Sequence, residues 1–218
     1  MLCQQGKRPV YDVSPNGRVR LQPERENSDR RSMVMTPTGL PGLSHVDHIG
    51  ITVPDLDAAV AFYCNVIGGV ELYRVGPFDA AELPQMPDGR DWAEAHLEVA
   101  GARLNLVALQ IGPNLILELF RYDKPTDRKT SPPRNCDLGG HHIAFKVANI
   151  EEAVSYLRGK GVKVMEGPVT MESGPTAGVK WIYFLDPWGN QLELFEYDKI
   201  AFESSSPVKI YRPSARRE

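Results

Sequence analysis

Leu117-Glu118-Leu119-Phe120-Arg121-Tyr122-Asp123-Lys124 returns later in the chain as Leu192-Glu193-Leu194-Phe195-Glu196-Tyr197-Asp198-Lys199, with Arg121 against Glu196 as the one difference. An echo of this length marks an internal duplication. Upstream of each copy lies a second matching stretch. His48-Ile49-Gly50-Ile51-Thr52-Val53 precedes the first and His142-Ile143-Ala144-Phe145-Lys146-Val147 precedes the second. Each half opens on a strand with a histidine and closes on a strand with a glutamate.

Alternation assigns the faces. Side chains on a strand point to opposite sides with period two. Leu117, Leu119, Leu192 and Leu194 therefore share one side, and Glu118, Phe120 and Tyr122, like Glu193, Phe195 and Tyr197, take the other. On the opening strand Ile49, Ile51 and Val53 are expected against a helix, which turns His48 away from it. A carboxylate among apolar neighbours on a central strand needs a compensating partner, because burying it unpaired costs several kcal/mol or changes its protonation state. A twofold arrangement of the halves brings His48, Glu118, His142 and Glu193 together as two imidazoles and two carboxylates. That set suits a divalent transition metal of borderline hardness with positions left for substrate oxygens. Manganese, iron, cobalt, nickel and zinc all satisfy it. A single strand histidine is ordinarily structural; the joint duplication of His and Glu favours the metal.

Around these strands the chain reads as two βαβββ modules. Residues 1–43 form a polar arm with no sustained period, expected to be poorly ordered. The first module covers 44–124. Its helix starts at the N-cap Asp55, carries Leu56, Val60, Tyr63 and Ile67 at helical spacing, and stops at Gly68-Gly69. A strand from Val70 to Val75, a long loop from Gly76 to Arg90 with the length of a lid, a short helix from Asp91 to Leu97, and strands Arg103 to Gln110 and Leu115 to Tyr122 complete it. Residues 125–139 are a polar linker. The second module covers 140–199, with the strand His142 to Val147, a helix capped by Asn149, a strand at Val162 to Met165, a loop from Gly167 to Gly178, and strands Lys180 to Leu185 and Gln191 to Tyr197. Asp186-Pro187-Trp188-Gly189-Asn190 is the turn between the last two, and 200–218 is a polar tail.

Composition narrows the function classes. A net charge of −3 offers no basic excess for a polyanion, so nucleic acid is not an expected partner. Cys3, Cys64 and Cys136 have neither disulfide-framework numbers nor CxxC spacing. No apolar run has membrane-spanning length and the N-terminus lacks a signal-peptide core, so a cytoplasmic protein without a membrane partner is expected. His141 faces away from His142 along the strand, and His45 and His96 carry no signal. Lys146 shares the face of His142 and is suited either to an anionic oxygen or to solvent at a strand end. Phe120, Tyr122, Trp181 and Tyr197 are candidate pocket walls.

Three stretches carry a family resemblance: Asp47-His48-Ile49-Gly50-Ile51-Thr52-Val53-Pro54-Asp55, Gly139-Gly140-His141-His142-Ile143-Ala144-Phe145 and Asp186-Pro187-Trp188-Gly189-Asn190-Gln191-Leu192-Glu193. The chain resembles the vicinal oxygen chelate superfamily, which includes glyoxalase I, methylmalonyl-CoA epimerase, extradiol dioxygenases and fosfomycin and bleomycin resistance proteins. The resemblance implies an α+β fold of two tandem βαβββ modules forming an open barrel around a metal site. It also implies a small-molecule substrate and, as in many members, a homodimer. Bleomycin resistance proteins lack the ligands, and extradiol dioxygenases usually leave the place of Glu118 empty. Glyoxalase I and the epimerases keep four. The Tyr73-Arg74-Val75-Gly76-Pro77-Phe78 segment, the loop that follows and Arg121-Tyr122-Asp123 look most similar to cyclitol epimerases acting on 2-epi-5-epi-valiolone. The implied reaction is epimerisation of a hydroxyketone by proton abstraction next to a metal-bound carbonyl, through an enediolate, with Glu118 or Glu193 as the base. A glyoxalase I-like lactoylglutathione lyase, an extradiol-type dioxygenase and a non-catalytic small-molecule binding protein are the alternatives.

Overall fold

The computed structural model of the chain describes residues 11–13, 18–21 and 39–210. Two short strands, β1 (Tyr11–Val13) and β2 (Arg18–Leu21), pair antiparallel within the segment expected to lack regular structure. Strands of this length are too short for a period to register, and it is backbone pairing to a neighbouring strand that holds them. The described residues form two compact units. One comprises Ser44–Gly140 with Asp186–Asn190; the other comprises β1, β2, His141–Leu185 and residues 191–210.

The first unit contains β3 (His48–Thr52), α1 (Leu56–Asn65), β4 (Val70–Asp79), α2 (Trp92–Leu97), β5 (Arg103–Ile111) and β6 (Leu115–Lys124). Its sheet runs β3-β6-β5-β4, with β3 parallel to β6 and the remaining pairs antiparallel. Asp55 caps α1 by accepting from Ala58 N at 3.0 Å, and the helix buries Leu56, Ala59, Phe62 and Tyr63. Val107, Leu109, Leu117 and Leu119 on the sheet are fully buried. Each large aliphatic side chain so placed contributes about 1.5–3 kcal/mol.

The expected lid loop is shorter and more anchored than its composition suggests. Strand β4 continues to Asp79 through a register shift between Val75 and Phe78, where Gly76 takes φ +113°, a conformation that disfavours any side chain. A 3-10 turn at Ala80–Glu82 follows, and α2 is capped by Asp91, which accepts from Glu94 N at 2.8 Å and Gly101 N at 2.7 Å. Ala80, Ala93, Ala102 and Leu104 then pack with Val99, Phe120 and Tyr122, which fixes the segment at both ends.

The second unit repeats the module with β7 (His142–Lys146), α3 (Ile150–Gly159), β8 (Val169–Met171), β9 (Lys180–Leu185) and β10 (Gln191–Glu196), in the sheet order β1-β2-β8-β9-β10-β7. Strand β2 adds parallel to β8. Asn149 caps α3 by accepting from Glu152 N, and Ile150, Val154 and Leu157 form its buried stripe. The strand expected at Val162 to Met165 is present only as a fragment. Val164 bridges Phe184, Met165 N–H donates to Tyr183 O at 2.9 Å and Leu185 N–H to Lys163 O at 3.0 Å. Gly167 at φ +133° and Pro168, which has no N–H to donate, interrupt it. Pairing resumes inside the expected loop at Val169↔Trp181. The architecture is α+β, two tandem βαβββ modules, and each sheet is open. No described helix is long and apolar enough to cross a membrane.

Two polar contacts lock the units internally. In the first, the Asp186 carboxylate is buried and fully satisfied. It accepts from Trp188 N, Asn190 N and Asn190 Nδ2, and from Tyr63 OH at 3.0 Å, while burial pushes the Tyr63 hydroxyl well above the ordinary tyrosine range. Replacement of Tyr63 by Phe leaves Asp186 one donor short at a buried site and is expected to lower stability by about 1–3 kcal/mol, read as a lower urea midpoint at unchanged slope.

In the second unit, Glu196, the one mismatch in the repeated octet, accepts from Ile150 N at 2.6 Å at the start of α3 and pairs with Lys180 Nζ at 3.1 Å. The backbone hydrogen bond from Ile150, then Lys180, holds its carboxyl below the ordinary glutamate range. The unfolded chain therefore takes up a proton first as pH falls. The stabilisation is complete above the unfolded value of about 4.3 and is lost as pH drops through the lower folded value. The stability difference between wild type and Glu196→Gln is expected to be largest near neutrality and to vanish in acid; a pH-independent difference would show that the charge is immaterial.

Candidate active site

Register explains why each histidine meets a glutamate. In the parallel pair β3–β6, Gly50 lies opposite Glu118; in β7–β10, Ala144 lies opposite Glu193. His48 and His142 each sit two residues earlier on the same face, so their imidazoles lean toward those carboxylates. His48 Nε2 is 3.4 Å from Glu118 Oε2, and His142 Nε2 is 3.1 Å from Glu193 Oε2. Gly50 is needed for this packing, since a Cβ there would meet the Phe120 ring at 3.0 Å.

The two pairs differ in their surroundings. Glu193 is buried, and desolvation raises its carboxyl above the ordinary range, with His142 opposing the shift. Glu118 is more open, and Tyr73 OH donates to its Oε1 at 3.3 Å. His48 Nδ1 lies 2.9 Å from Asp47 Oδ1. That contact with Asp47, and then the Glu118 charge, raise the His48 pKa. The partner fixes the ring with Nε2 toward Glu118, the arrangement by which outer carboxylates orient metal-binding imidazoles.

Both tyrosines escape a reading of the sequence for site residues. Tyr183 lies opposite Glu193 in the β9–β10 register and packs edge-on to His142 at 5.1 Å. It shares the face of Trp181 and is legible by the same period. Tyr73 is not legible: a register shift between Glu71 and Tyr73 breaks the alternation of β4. Tyr73 lies opposite Ala108, which lies opposite Glu118, so the small alanine lets the tyrosine reach across one strand. Each module thus presents a His–Glu–Tyr trio, the tyrosine coming from the adjacent strand in one and from the next strand out in the other.

Two donors bound to one ion at about 2.0–2.2 Å and separated by 90–109° stand about 3.0–3.5 Å apart. The observed separations, 3.4 and 3.1 Å, meet that requirement in both modules. The spacing of each pair therefore fits two ligands of a divalent metal. The structure brings His48 to Glu118 and His142 to Glu193; among the described residues no three or more His, Cys, Asp or Glu side chains gather into a metal-sized group. Of the other histidines, His45 Nδ1 meets Ser44 Oγ and the His96 ring packs on Trp92.

Residues 45–194 match the Glyoxalase/Bleomycin resistance protein/Dioxygenase superfamily. The chain belongs to this superfamily. It is 43% identical over 182 residues to a 2-epi-5-epi-valiolone epimerase from Actinomyces sp., across 82% of this chain and 94% of that protein. It is 30% identical over 158 residues to the uncharacterized protein YaeR of Escherichia coli K12, across 71% of this chain and 98% of that one. Among solved structures, a glyoxalase family protein from Bacillus cereus shares the fold, with a TM-score of 0.55 at 20% identity over 73% of this chain and 99% of that chain.

In chelator-treated protein, Asp47→Asn is expected to lower the His48 pKa, seen as an acid-side displacement of its NMR titration. An unchanged His48 curve would show that Asp47 does not orient the ring.

Proposed function

We propose that the chain is an epimerase of a polyhydroxylated ketone, with 2-epi-5-epi-valiolone the first substrate to test, and that His48, Glu118, His142 and Glu193 act as one ligand set for a divalent metal. The observation that carries this reading is the duplicated His–Glu pair at donor separations suited to one ion, in a chain 43% identical to an epimerase of that substrate. When bound, the metal would supply Lewis acidity to a ketone and its neighbouring hydroxyl.

The chain's own groups supply the proton chemistry. A base is best matched when its pKa approaches the working pH, and burial moves Glu193 in that direction. Glu193 takes the proton from the carbon beside the ketone. The C–H electron pair becomes the second bond of the enediolate, and negative charge passes to the former carbonyl oxygen. A proton returned to the opposite face of the same carbon yields the epimer. Glu118 is the other carboxylate able to exchange a proton, and the hydroxyl of Tyr73 restrains one of its oxygens. Phe120, Tyr122, Trp181 and Tyr183 provide apolar surface on the same faces, where exclusion of water strengthens these interactions.

The expected metal content is about one divalent ion per chain, falling at least tenfold in affinity in either Glu118→Gln or Glu193→Gln. Incubation of 2-epi-5-epi-valiolone in deuterium oxide is expected to introduce one deuterium at the epimerised carbon, and either variant should slow this by about 100-fold or more. Substrate binding without exchange would favour a non-catalytic binding protein. Lactoylglutathione formation from the hemithioacetal would favour the glyoxalase reaction, and oxygen uptake on a catechol a dioxygenase. Metal bound equally well after loss of either glutamate would overturn the shared ligand set.

A further inference from the structure

The duplicated opening strands differ in chemistry at one place on the site face: Thr52 in the first module corresponds to Lys146 in the second. Lys146 shares the face of His142 and lies opposite Phe195. Its Nζ stands 4.3 Å from the centroid of the Tyr197 ring. Tyr197 in turn meets Phe195 edge-on at an interplanar angle of 75°, whereas its counterpart Tyr122 stacks on Phe120 at 26°. Where the lysine is present, the tyrosine offers it a ring face. An ammonium over an aromatic face is held in place while its N–H donors remain available to a ligand. Among the described residues it stands over that ring, and no carboxylate pairs with it.

The order along the strands is informative. His142 lies at the Gln191 row, Glu193 at the Ala144 row and Lys146 at the Phe195 row. The Glu193 row is therefore in the middle, with the His142 row on one side and the Lys146 row about 7 Å along the strand on the other. A ketone and its neighbouring hydroxyl directed toward His142 and Glu193 leave Lys146 beside a different part of the substrate.

We infer that Lys146, positioned by Tyr197, is a specificity-determining residue that donates a hydrogen bond to a substrate hydroxyl remote from the epimerised carbon, selecting polyhydroxylated over simple ketones. This inference rests on the epimerase reading. Lys146→Met removes the donor and keeps the length of the chain; Lys146→Arg keeps a donor. The experiment compares KM and kcat of wild type and both variants on the polyhydroxylated ketone and on an analogue lacking the remote hydroxyl, alongside calorimetric binding of the same two compounds.

The expected result is a 10- to 100-fold rise in KM for the polyol in Lys146→Met, with kcat within about threefold, partial rescue in Lys146→Arg and no change for the deoxy analogue. Tyr197→Leu is expected to raise KM for the polyol in the same direction by a smaller factor. A fall in kcat alone would overturn the inference and assign Lys146 to the charge that develops at the reacting oxygen. An unchanged KM, or an equal change for both compounds, would also overturn it. Should wild type bind the polyol without turning it over, the epimerase reading fails. Weaker calorimetric binding by Lys146→Met then upholds the role of Lys146, equal binding overturns it, and no binding by wild type overturns both.

Discussion

Every feature of the site depends on the parallel pairing between the first and last strands of each module. Parallel neighbours cannot be joined by a tight turn; they require a long crossover, and here the helix and the two intervening strands provide it. Closing that path places Gly50 beside Glu118 and Ala144 beside Glu193, and the period of the strand brings a histidine over each carboxylate. Glu193 shows what is at stake. Its carboxylate is buried on a central strand, where an unpaired charge would cost several kcal/mol. The imidazole at 3.1 Å offsets part of that cost. The same pair of donors stands at the distance that two ligands of one cation require.

Much of this was legible in the sequence because it rests on local period. The buried leucines at 117, 119, 192 and 194, the opposite face of the glutamates, and the caps Asp55 and Asn149 all follow from alternation or from the end chemistry of helices. What escaped depended on partners distant in sequence. Strand β2 is held by pairing to β8 and β1 by pairing to β2, and three or four residues carry no periodic signal. The strand fragment at Val164 and the strand at Val169–Met171 both pair with β9 as one interrupted strand, split where Pro168 cannot donate to the ladder. Tyr73 was hidden by a bulge, which reverses the parity on which a face assignment depends.

Divergence between the two copies is as informative as their identity. Glu196 replaces the equivalent of Arg121 and provides an acceptor for the first N–H of α3. In the first module Arg121 turns instead to Asp123, at 3.0 Å, beside Arg103 and Asn105. These substitutions lie on the helix side of the sheet and serve the fold. On the opposite side the differences concern chemistry: Ala108 against Tyr183, and Thr52 against Lys146.

An epimerase gains from such asymmetry. Removing a proton from one face of a carbon and returning it to the other asks for two acid–base groups with unlike environments, because a base matched to abstraction and an acid matched to delivery differ in the protonation state they must hold. Two faithful copies of one module would present the same carboxylate twice. Burial raises the Glu193 carboxyl, and the hydrogen bond from Tyr73 restrains Glu118, so the two sit in unlike environments. Under the proposed reaction, duplication provides the matched donors for the metal. Drift at a few neighbouring positions then gives those donors unequal roles in moving the proton.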